Sequence, residues 1–97
     1  VTDDLGMLLS SGDPAYADPV ANGVAAIAAG NDLVLMVAGS DAQTAGSMVH
    51  GITAAVETGT LSPERLEEAA TRVLALRLQL SAATASWAVC EDCDRVD

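Results

Sequence analysis

The spacing of apolar residues changes twice along the chain. Residues 33–37, "LVLMV", form an unbroken apolar run between "ND" and "AG". A run of this length, apolar on both faces, predicts a strand in the middle of a parallel sheet. On either side the period becomes helical. Val20, Val24, Ile27 and Ala28 share one face of a first predicted helix. Ala45, Met48, Val49, Ile52 and Val56 mark a second, and Leu66, Ala69, Val73, Leu76 and Leu80 a third. Residues 1–3 read as the end of another strand, and "LGMLLSSGDPAYADP" after them as a loop.

Start and stop signals support these elements. Asp18-Pro19 pairs a capping acid with a proline at the first helical position. Gly30 is placed to end that helix, whose middle carries Gly23 and therefore needs tertiary support. Gly39-Ser40-Asp41 leads into the second helix, and Gly59 stops it. Ser62 caps the third, with Pro63 and Glu64 in its first turn. From Ser81 the periodicity fades into an acidic tail, "CEDCDRVD".

The predicted order is strand, loop, helix, strand, loop, helix, helix, tail. This is a βαβ unit with one further step, and it places the chain in the α/β class. Two strands do not make a covered sheet, which typically has roughly five or six. A (β/α)8 TIM barrel needs about 250 residues. The expectation is therefore the C-terminal segment of such a barrel, with two strands and three helices, incomplete on its own. Residues 1–80 form that segment and residues 81–97 a separate tail.

Composition adds constraints. Of 97 residues, 51% are hydrophobic, which excludes a disordered chain, but only one Trp and one Tyr are aromatic. Much of the apolar content is alanine, so the core is thin for its length. The formal net charge is −10 and there is no lysine. That balance argues against nucleic-acid binding and against docking on anionic membranes. No apolar run approaches the ~20 residues that span a bilayer. The chain begins with Val1, so the natural N-terminus is expected upstream.

Few residues suggest chemistry. Asp3 and Asp4 stand where a strand enters its following loop, the end at which α/β active sites are built. The strand period turns adjacent side chains to opposite sides, so one of the two at most faces a site. Cys90 and Cys93 form a C-x-x-C beside Trp87, too close to the end of the sequence for a thioredoxin-like helix. A closed zinc site needs four ligands, and the single histidine, His50, lies on another element. A tail disulfide or two inert thiols is the simpler reading, and His50 reads as a surface residue. "VAGSDA" offers backbone N–H groups that suit an anion, opposed by Asp41. No metal site and no cofactor motif is present in the pattern.

Three blocks, "VTDDLGM", "AIAAGNDLVLM" and "ITAAVETGTLSPERLEEAATRVLALRLQL", occur together in one order. They resemble the C-terminal end of the catalytic barrel of glycoside hydrolase family 3, in its β-N-acetylhexosaminidase subgroup. The resemblance covers most of residues 1–80. It implies that Asp3, which follows Thr2, is the catalytic nucleophile of a retaining hydrolase. It places Met7 against the sugar and leaves Asp4 a supporting loop residue. The implied substrate is a carbohydrate with terminal β-linked N-acetylglucosamine, of the peptidoglycan type, with no cofactor. The acid/base pair and most sugar-binding residues of that family lie on a missing upstream barrel segment, so the chain alone is expected to be inactive.

Other readings stay open. One is a different specificity in the same family, such as a β-glucosidase. Another is a non-catalytic α/β remnant that folds with a partner or as a dimer, its exposed sheet edge paired by another chain. A third is a redox or zinc module on Cys90 and Cys93. The cysteine pair fits an exported or cell-envelope setting, and a cytoplasmic one is equally compatible with the rest of the chain.

Overall fold

A computed structural model describes residues 1–83. In order, the elements are α1 (Gly6–Ser10), a 3₁₀ turn (Pro14–Tyr16), α2 (Pro19–Ala28), α3 (Thr44–Glu57) and α4 (Pro63–Ala83). Among the described residues there is no β-strand. The two segments read as strands meet in one isolated parallel bridge, between Asp4 and Leu35. The molecule is a helical domain, and the expected α/β barrel segment is overturned. The stretch read as a loop after Asp4 also contains α1 and the 3₁₀ turn.

The reason lies in register. Thr2 N–H donates to the Leu33 carbonyl and Leu5 N–H to that of Leu35, both at 3.0 Å. One segment thus advances three residues while the other advances two. A regular parallel ladder advances both by two, so the pairing breaks after a single bridge. Side chains supply the remaining acceptors. Leu35 N–H donates to Thr2 Oγ1, and the Val37 and Ala38 N–H groups donate to the Asp4 carboxylate. The apolar run is also not buried on both faces. Leu33, Leu35 and Val37 are 49%, 44% and 62% exposed, while Val34 packs on the core.

That core joins Val24 and Ile27 of α2, Ala55 of α3 and Leu61 of the α3–α4 turn. Val20, Ile52, Val56 and Leu66 pack around it. Leu61 is its most enclosed member at 1% exposure, and its N–H is held by the Ala55 carbonyl. The helix ends follow the local signals. Asp18 accepts from the Val20 and Ala21 N–H groups, and Ser62 Oγ from that of Arg65. Gly30 and Gly59, with φ of 110° and 78°, turn the chain out of α2 and α3.

α2 and α3 cross through a reciprocal pair of glycines. Val20 sits against Gly51, and Met48 sits against Gly23. Each helix thus offers a glycine to a large residue of the other, three positions from its own large residue. This is the tertiary support that Gly23 needs in mid-helix. Among the described residues α4 joins the core by its first half. Ala69 is buried and Val73 half-buried, but Leu76 and Leu80 are 52% and 56% exposed. The far end of the predicted stripe leaves the core, as do Ala28, Ala45 and Val49.

Candidate functional site

The two aspartates have different surroundings. Asp4 is tied down on three sides by the backbone. Its Oδ1 accepts from the N–H of Gly6 at 2.9 Å and of Val37 at 2.8 Å, and its Oδ2 from that of Ala38 at 3.0 Å. These bonds favour the ionised form and hold its pKa below the ordinary 3.8, with the Ala38 N–H the largest cause and Val37 next, against an opposing effect of desolvation that exceeds the contribution of Gly6. The first two backbone amides of "VAGSDA", the stretch the sequence suggested for an external anion, are therefore taken by this chain's own carboxylate. Asp41 caps the turn into α3, accepting from Gln43 N–H and Thr44 Oγ1.

The turn is close-packed as well as hydrogen-bonded. A Cβ on Gly6 would run into the carbonyl of Ala38. Glycine is required there because the two backbones touch.

Asp3 is exposed, and its Oδ1 accepts from the Asp4 N–H at 2.8 Å. Its carboxylate has no other hydrogen bond among the described residues. Met7, on α1, is 60% exposed. Both lie at the surface, Asp3 directly before the Asp4 anchor in the chain and Met7 after it. His50 is exposed on α3, away from this turn in sequence and element. Cys90, Cys93 and Trp87 lie outside the described residues. Among the described residues no group of His, Cys, Asp and Glu is arranged to hold a metal ion. No helix there is long and apolar enough to cross a membrane.

A second polar cluster went unread in the sequence. Arg65 of α4 donates from Nε to the Ile27 carbonyl and from NH2 to the Asn31 carbonyl, both at 2.9 Å. The same NH2 meets Asp32 Oδ1 at 2.6 Å, and NH1 meets Glu68 Oε2 at 3.0 Å. Arg72 pairs with Asp32 and Glu68 as well. Arg65 so occupies the negative end of α2 and ties it to α4. The hydrogen bond from Arg65 is the main cause that lowers the Asp32 pKa. The helical spacing of Arg65, Glu68 and Arg72 was a readable signal for the pairs within α4. Nothing in the spacing pointed to Asp32. The cluster is a fastener, with its donors used on carbonyls and carboxylates of the chain itself.

Comparison with protein-family models, curated proteins and solved structures finds no match for this chain.

Proposed function

We propose that the chain supplies the nucleophile of a retaining glycoside hydrolase that cleaves terminal β-linked N-acetylglucosamine. Asp3 is the nucleophile, and Met7 offers apolar surface to the sugar. The observation that carries this reading is the division of labour in "TDD". Asp4 is consumed by backbone amides, and this leaves Asp3 exposed on a fixed turn. A carboxylate in that condition can attack an anomeric carbon to form a glycosyl ester, which water then hydrolyses. The described residues place no cation or histidine in contact with Asp3 to protonate a leaving group. The chain alone is therefore expected not to turn over an aryl N-acetylglucosaminide.

Trapping tests the nucleophile without a proton donor. A 5-fluoro-N-acetylglucosaminyl fluoride loses fluoride directly as the carboxylate oxygen bonds to the anomeric carbon. Peptide mass spectrometry after long incubation at high reagent concentration is expected to find the sugar on Asp3, and none in Asp3→Asn. An unlabelled wild-type chain, or label spread over other carboxylates, rejects the proposal and favours a non-catalytic module.

A further inference from the structure

Residues 33–37 have two hydrogen-bonding edges, because alternate backbone groups of an extended segment face opposite ways. One edge is used: the carbonyls of Leu33 and Leu35 and the N–H groups of Leu35 and Val37 all bond to residues 2–5. The other edge belongs to Val34 and Met36. Neither their N–H nor their C=O groups have a hydrogen-bond partner among the described residues. Beside this edge runs an open groove of about 320 Å³ between the segment and the start of α3. Val34, Leu35, Met36, Ser40 and, from α3, Thr44, Ala45 and Met48 line it. Leu33, Leu35 and Val37 of the same segment are exposed.

We infer that this edge binds an extended peptide segment of another polypeptide by β-augmentation, with alternate apolar side chains of the peptide dropping into the groove against α3. Three observations select that occupant. A row of N–H and C=O groups at strand spacing is matched by extended backbone and by no compact apolar ligand. The groove is apolar along Val34, Leu35 and Met36, so the alternate apolar side chains of an added strand gain burial against it. Methionines line the groove, and their side chains adapt to varied partners. A second copy of this chain is the weaker occupant, because it brings another −10 of charge to the contact. The inference does not depend on the hydrolase reading.

The test uses the full chain and a fluorescent acetylated peptide that alternates valine and threonine between flanking lysines. Saturable binding by anisotropy is expected at physiological salt. N-methylation of one alternate set of peptide residues is expected to weaken it about tenfold or more, the loss of two backbone bonds. N-methylation of the other set leaves affinity within about twofold, since only one edge of a strand is engaged. Ala45→Gln, which fills the groove from an exposed position of α3, weakens binding without change in helix content. Absence of saturable binding overturns the inference. So does equal affinity of both methylated peptides, which marks charge-driven adsorption. A concentration-dependent dimer that the peptide fails to dissociate overturns it in favour of a second copy.

Discussion

Replacing Gly51 by alanine tests the helix crossing. A Cβ there would overlap Cγ1 of Val20 and lie 3.2 and 3.3 Å from its Cβ and Cγ2. Valine in a helix has one strongly preferred rotamer, so the methyl cannot swing aside and the helices must part. Overpacking of this kind costs about 1–3 kcal/mol. Glycine to alanine within a helix returns about 1 kcal/mol of propensity. Gly46 on the same helix is the control, since a Cβ there meets nothing within 4 Å. Gly46→Ala keeps the propensity gain without the overlap. The two variants therefore differ by the overlap alone, about 1–3 kcal/mol. In a domain of this size 1 kcal/mol moves Tm by about 4–8 °C. Thermal melts followed by circular dichroism should place Gly51→Ala below wild type and Gly46→Ala above it. Adding Val20→Ala to Gly51→Ala should recover part of the loss through a favourable coupling. If Gly51→Ala and Gly46→Ala melt together, the close crossing of α2 and α3 is wrong.

The remaining predictions concern the core, the fastener and the anchor. Leu61→Ala, at the most enclosed position, should lose about 2–5 kcal/mol in urea unfolding; a loss under half a kcal/mol would deny Leu61 its place in the core. Arg65→Lys should lower Tm nearly as much as Arg65→Ala, because one ammonium cannot meet the two carbonyls and two carboxylates that the guanidinium spans. Full retention of stability in the lysine variant would show that only the charge matters. Asp4 and Asp32 both have folded pKa values below 3.8. As pH falls, the unfolded chain takes up their protons first, so their contribution holds above that value and is lost as pH drops through the folded values. Asp4→Asn should lower stability at neutral pH and flatten this acid limb in urea titrations; an unchanged acid limb would deny the Asp4 anchor.

Local signals in the sequence read well because they act over a few residues. The caps at Asp18 and Ser62 and the exits at Gly30 and Gly59 appear as the spacing implied. The apolar run at residues 33–37 predicted a strand, and the structure has one isolated bridge there instead. Extension depends on the residues themselves, while a strand depends on a partner in register. That register was set by side-chain acceptors on Thr2 and Asp4, which hydrophobic period does not report. The stripe of α4 misled as well. Leu76 and Leu80 repeat as a buried face would, yet they are 52% and 56% exposed. At the candidate site the sequence separated Asp3 from Asp4. It did not show that Asp4 reaches amides more than thirty residues away.

Adjacent identical side chains create an ambiguity of alignment. If residues 1–6 slid by one position along residues 33–38, Asp3 would enter the amide cradle with the same carboxylate and the same charge. The Asp4 cradle does not distinguish the two settings, although Val1 in place of Thr2 would leave Leu35 N–H without its hydroxyl acceptor. Gly6 does, because the slide would bring Leu5 to the point where even a Cβ collides with the Ala38 carbonyl. The glycine therefore acts as a key cut for one setting of the lock. It decides which of two chemically equivalent acids is spent on structure and which is left at the surface.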